Sequence, residues 1–276
     1  MKNYMIRYPI QIKKQDLNDL KSWFFKYTEL FKNNDMELLE NVILKEKHTK
    51  QVCKEILEIG NSLSLEQNEL HFAEIIALLH DVGRFEQYKI YGTFADNKSV
   101  NHAALGAEIL QKNRILDNFA ETTKNMILKT IKYHNRPSLP ANETDACIFF
   151  SKLLRDADKL DIYRVVTEYY IEKQNGIQSK GIEMGLPDTQ EISDKVVEKL
   201  LNRKFVNSRD IKNLNDFKLL QVGWVYDINF ATTFNNIKSR HYLEIIRATL
   251  PKTKIIADVF NVVYLHLNNN CTEHNS

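Results

Sequence analysis

EIIALLHDVGRFEQY, residues Glu74 to Tyr88, decides the fold. Ile75, Ile76, Ala77, Leu78 and Leu79 form one unbroken apolar run, the pattern of a helix driven into a core. The run ends on His80 and Asp81, side by side. An imidazole and a carboxylate removed from water together cost several kcal/mol unless each is given a partner. That partner has to be sought in the rest of the chain.

Upstream, Ser64 with Gln67 has the form of a capping box opening this helix, and Gly83 suits a C-terminal cap that ends it. A preceding helix is expected from about Met36, with Leu44, His48, Val52 and Ile56 at four-residue spacing on one face. His48 therefore stands where an apolar residue is expected. Before it, DLNDLKSWFFKYTELF (16–31) reads as an exposed amphipathic helix followed by a turn at KNNDM.

Downstream, RFEQYKIYGTFADNKSV (84–100) mixes aromatic and charged residues without a clear period and is expected to be a loop lining a pocket. Ser99 or Asn101 is a good N-cap for the next helix, whose inner face carries His102, Leu105, Gly106 and Ile109. KNMILKTIKYHNRP puts Ile127, Ile131 and His134 on one face before Pro137 stops it. FFSKLLRDADKLDIYRVV runs Leu154, Asp158 and Asp161 or Ile162 along another. Residues 175–187, rich in glycine, read as a linker, and the C-terminal part is helical, with YLEIIRATL and IADVFNVVYLHL its strongest apolar stretches. The tail NNNCTEHNS is expected to fray.

Eight glycines and five prolines in 276 residues encode few turns, so the expected fold class is all-α. The expected organisation is a helical extension over 1–35, a core over 36–175 and a helical region packed on it over 176–276. With 38 basic against 36 acidic side chains and no basic block, an extended nucleic-acid surface is not expected. Cys53, Cys147 and Cys271 are odd in number and unrelated in spacing, which fits cytosolic thiols and no disulfide framework. The start MKNYMIRYPIQIKKQ has no signal-peptide apolar run and no 18-residue apolar stretch occurs, so the expected location is the cytoplasm, away from membranes.

His48, His80 with Asp81, His102, His134 and Asp158 interrupt the apolar faces of five consecutive helical segments. Any one of them alone is readily a hydrogen-bonded core residue. All of them converging in one core would strand one another without a cation, and this donor set suits Mn, Fe, Zn or Co, with Mg where oxygen ligands dominate.

In that order, and with LLHDVGR and DADKLD around the central positions, the chain resembles the HD-domain superfamily of metal-dependent phosphohydrolases over about Met36 to Asn175. The resemblance implies an all-α helical bundle in which His48, His80, Asp81 and Asp158 hold one metal. His102 and His134 match the two further histidines of binuclear members, in which the aspartate of the His-Asp pair, here Asp81, bridges both ions. Two divalent ions, drawn from Mn, Fe, Mg, Co, Ni or Zn, are the implied cofactors. Asp158 is preferred to Asp156 and Asp161 because it precedes Lys159-Leu160, and the other two become candidates for orienting histidine N–H groups.

The implied reaction is hydrolysis of a small phosphorylated substrate, a nucleotide or another phosphomonoester or phosphodiester, by a hydroxide bridging the two metals. Asp81, Arg84 and Lys159 are the implied catalytic residues. Arg84 follows HDVG, where many members carry a substrate-contacting lysine, and Lys159 is a second cation. Tyr88, Tyr91 and Phe94 are candidates to stack on a base. The GYP element of cyclic-di-GMP phosphodiesterases is missing after His134, and the acidic pair that follows His-Asp in guanosine-polyphosphate hydrolases is replaced by GRFEQ, which argues against both substrates. Two other readings use the same residues. One is a di-iron oxygenase cleaving a C–C or C–P bond; the other is a non-catalytic, metal-stabilised module. A homo-oligomer stays open, and His71, His241, His266 and His274 are read as structural or exposed.

Overall fold

The computed structural model describes residues 10–32, 34–173, 175–176 and 180–271. These residues are helical with no strand among them, and none of their helices is long and apolar enough to cross a membrane. They divide into two compact units, Met1–Asp158 and Lys159–Ser276.

The first unit contains α1 (Lys14–Glu29), α2 (Met36–Ser62), α3 (Gln67–Leu79), α4 (Gly83–Tyr91), α5 (His102–Lys112), α6 (Glu121–Tyr133) and the first half of α7 (Asp145–Lys173). At its centre lies α3, packed against α1, α2 and α6. The reason is visible in its sequence: Phe72, Ala73, Ile75, Ile76, Ala77 and Leu79 are all completely buried, so the second half of the helix is apolar on nearly every side, with Glu74 the polar exception. Each of its larger side chains contributes about 1.5–3 kcal/mol by leaving water. Phe72 meets Phe150 with ring centroids 4.6 Å apart. The amphipathic α1 turns Leu17, Leu20 and Phe24 inward, onto α3.

Three local expectations change. Ser64 is not a cap; it takes a left-handed φ of 58°, and α3 is opened by a capping box between Glu66 and Glu69. Of the expected loop 84–100, the first half is instead the helix α4, whose Phe85 and Gln87 point into the core, and only 92–100, with one 3-10 turn at Asp96–Lys98, is loop. Gly83 starts that helix instead of closing α3. A Cβ on Gly83 would stand 2.1 Å from the His102 carbonyl oxygen and 2.7 Å from the Gly106 nitrogen. The residue is a glycine because α4 and α5 approach backbone to backbone. The left-handed cap is instead Gly92, with φ 60°, at the end of α4.

The second unit holds the rest of α7 with α8 (Lys180–Glu183), α9 (Asp194–Leu201), α10 (Leu214–Gly223), α11 (Ala231–Ser239), α12 (Tyr242–Ala248) and α13 (Lys254–Asn270). Leu200, Leu219, Val222, Val259, Phe260 and Val263 are fully buried, and Tyr163 stacks on Tyr242 with its hydroxyl donating to the Gln221 carbonyl. The glycine-rich stretch 175–187 includes α8, and its residues 177–179 lie outside the described residues, as do 272–276 of the tail with His274.

Candidate metal centre

The six predicted residues come together in the first unit. His48 projects from α2. His80 caps the C-terminus of α3 and is followed by Asp81 in the turn to α4. His102 is the first residue of α5, His134 caps α6, and Asp158 lies on α7. The groups His48/His80/Asp81, His80/His134/Asp158 and Asp81/His102/His134 each offer ligand atoms within 4.8 Å of one another.

Asp81 is the centre of the arrangement. Its Oδ2 lies 3.5 Å from Nε2 of both His48 and His80, while its Oδ1 lies 3.4 Å from His102 Nε2 and 3.8 Å from His134 Nε2. Asp158 Oδ1 adds to the first side, 3.2 Å from His48 Nε2 and 3.6 Å from His80 Nε2. One carboxylate thus turns its two oxygens to two different pairs of imidazoles.

The rings are aimed by their other nitrogens. A helix leaves its last carbonyls without intrahelical partners, and two histidines use them: His80 Nδ1 bonds the Ala77 carbonyl at 2.7 Å, and His134 Nδ1 bonds the Ile131 carbonyl at 2.7 Å. His102 Nδ1 bonds the Asp96 carboxylate at 2.8 and 2.9 Å. A carbonyl or carboxylate at Nδ1 assigns the proton there, so Nε2 of His102 and His134 carries a lone pair. Those two Nε2 atoms face each other at 3.0 Å. Burial holds both rings neutral, pushing His134 down to about 3 with help from His102 and His80, and lowering His102 with help from Arg84.

Two lone pairs at that distance repel, and a shared cation removes the repulsion. On the other side, burial opposes charge on His80, but Asp81 and Asp158 outweigh it and push its pKa up to about 9. His80 Nε2 is buried without a hydrogen bond. Four imidazoles around two carboxylates, with Nδ1 committed elsewhere in three of them, form a donor set that fits divalent transition metals.

Other residues complete the surroundings. Lys45, one turn before His48 on α2, donates to Asp81 Oδ2 at 2.5 Å and lies over the Phe94 ring. Arg84 places Nε 3.6 Å from Asp81 Oδ1, and its Nη1 donates to Gln87, the Phe94 carbonyl and Asp96. Arg155, buried one turn before Asp158, donates to the carbonyls of Tyr133, His134 and Arg136, which clamps the end of α6 to the helix that carries Asp158.

Lys159 belongs to the second unit, where its ammonium pairs with Asp227 at 2.6 Å. Asp161 accepts from Arg164 at 2.6 Å, and Asp156 and Asp161 are both completely buried. Of the three aromatic candidates, Phe94 borders both Lys45 and Arg84. Tyr88 bonds Glu37, and Tyr91 is exposed. His71 bonds Gln67 and the Ile12 carbonyl, His241 precedes α12 in a left-handed conformation, and His266 packs on Tyr226 and Phe234.

Sequence reasoning missed Lys45, Asp96 and Arg155. Lys45 and Arg155 each lie three residues before a proposed ligand, on the same helix face, a spacing they share with ordinary charged residues of solvated helix faces. Asp96 sits in a stretch without periodicity and gave none. Residues 46–163 match a family model described as HD domain, a span that contains all six clustered residues. No curated protein and no solved structure matches the chain.

Proposed function

We propose, on the match of residues 46–163 to the HD-domain family model, a domain of metal-dependent hydrolase type, that the chain is a binuclear-metal phosphohydrolase acting on a nucleotide or another small phosphoester. The observation that carries this reading is the division of Asp81, with Oδ2 turned to His48 and His80 and Oδ1 to His102 and His134. His48, His80, Asp81 and Asp158 would hold one divalent cation, and Asp81, His102 and His134 the other. When bound, such a pair supplies Lewis acidity that activates water near neutral pH and polarises phosphoryl oxygens.

The chain's own residues account for binding and orientation. Lys45 and Arg84 bring two positive groups to Asp81, against the same Phe94 ring. A phosphoester oxygen arriving beside Asp81 would meet both, and the planar guanidinium suits two phosphate oxygens at once. The carbonyls of Ala77 and Ile131 and the Asp96 carboxylate hold the imidazoles in the tautomer that keeps Nε2 available. Hydrolysis needs no nucleophilic side chain on this reading.

The test is elemental analysis of protein purified without chelator or a metal-binding tag, paired with turnover of bis-p-nitrophenyl phosphate and a nucleotide panel in added Mn²⁺. About two ions per chain together with phosphate or nucleoside release support the hydrolase. Two irons without hydrolysis point to oxygen chemistry, and failure to take up metal under any loading condition reduces the cluster to a polar core.

A further inference from the structure

Asp96 lies on a single turn of 3-10 helix, Asp96–Lys98, between α4 and α5, and its side chain is 31% exposed. A carboxylate in such a place is ordinarily solvated. This one accepts four different protein donors. His102 Nδ1 reaches it at 2.8 and 2.9 Å, Gln87 Nε2 at 2.9 Å, Arg84 Nη1 at 3.1 Å and Asn135 Nδ2 at 3.1 Å. The donors come from α4, from the first residue of α5 and from the residue after His134.

Gln87, completely buried, is held in turn by Ser99 Oγ and the Val100 carbonyl, each at 2.9 Å, and accepts from Arg84 at 2.8 Å. The turn is thereby fixed on the structure's interior side, and the carboxylate has little freedom to leave His102.

We infer that Asp96 is a positioning residue of the centre: one carboxylate fixes the His102 ring with Nε2 toward Asp81 and ties it to Arg84, so that the second cation site and the substrate-side arginine are set together. The inference rests on His102 being a metal ligand, as proposed above. A carboxylate behind a ligating imidazole raises its basicity and fixes its tautomer. Here the same group also spends charge on Arg84, which couples metal affinity to the orientation of the guanidinium.

Asp96→Asn keeps the shape but removes the charge and turns an amide N–H₂ toward donors. Two measurements test it. In the metal-free protein, long-range ¹H–¹⁵N spectra of ¹⁵N-histidine should show His102 losing its Nδ1–H tautomer, while His134, which bonds a carbonyl, keeps its own. In Mn²⁺ titrations, one of two binding steps should weaken by about 10–100-fold while the other stays in place.

Asp96→Ala, which adds no donor opposite Arg84, carries the same test if the asparagine variant does not fold. An unchanged isotherm beside a wild type that binds two ions overturns the role of Asp96, as does an unchanged His102 tautomer or an equal shift of both steps. A wild type that takes up no Mn²⁺ overturns instead the reading on which the inference rests.

Discussion

At the scale of single residues, the centre is organised around what a carboxylate can do with two oxygens. Asp81→Ala removes the contact shared by both imidazole pairs, so activity should vanish and metal content fall below about one ion per chain. A normal metal content in that variant would mean that Asp81 does not bridge. Arg84→Ala should raise KM for a phosphoester substrate with both ions retained at saturating Mn²⁺, since its Nε stands 3.6 Å from Asp81 Oδ1 and its tie to the centre runs through Asp96; loss of metal at saturation would make the arginine structural. All six clustered positions were legible in the sequence because each puts a histidine or aspartate where helical spacing or an apolar run leads one to expect an apolar side chain. Lys45 was not, since in a chain that is 27% charged a lysine on a helix normally marks a solvated face. Asp96 was hidden for a different reason: its four partners come from three separate segments, which no local pattern records.

At the scale of elements, the glycines at the two ends of α4, Gly83 and Gly92, make a controlled comparison. Gly83→Ala drives a Cβ into the His102 carbonyl, and separating α4 from α5 should cost about 1–3 kcal/mol while displacing His102 and lowering metal content. Gly92→Ala meets no atom within 4 Å and strains only a φ of 60°, so it should cost about 1–2 kcal/mol with metal content unchanged. Chemical denaturation and elemental analysis of the two variants check both statements; equal metal loss would detach the helix approach from the site. The same pair shows where sequence reading failed. Gly83 looks like a stop signal locally, yet its reason for being glycine is a neighbouring backbone far along the chain. The helices α2, α3, α5, α6 and α7 were legible because their apolar periods are unambiguous, whereas GRFEQYKIY alternates aromatic and charged residues too closely to declare a face.

At the scale of the whole molecule, the division of the chain falls inside α7, between Asp158 and Lys159. No glycine, proline or change of composition marks that point, so it could not be read from the sequence. Metal binding should act on the first unit. A cation bound only by the folded state at a hundred times its Kd adds about 2.7 kcal/mol, which for a unit of this size corresponds to a rise in Tm of about 5–10 °C. Hydrogen exchange followed by mass spectrometry with Mn²⁺ or EDTA should locate the added protection in peptides covering residues 77–84, 101–106 and 131–137. Protection confined to the second unit would place the metal elsewhere.

The divided carboxylate of Asp81 also sets an accounting of charge during loading. On the two-cation reading, the first cation to arrive would meet the full negative charge of that group, and the second would meet a carboxylate already bound to a cation. Loading should then be anticooperative, with a singly loaded form persisting over a range of metal concentration. If turnover needs both ions, the rate would follow the weaker step alone and answer to metal supply at concentrations where the fold is already protected.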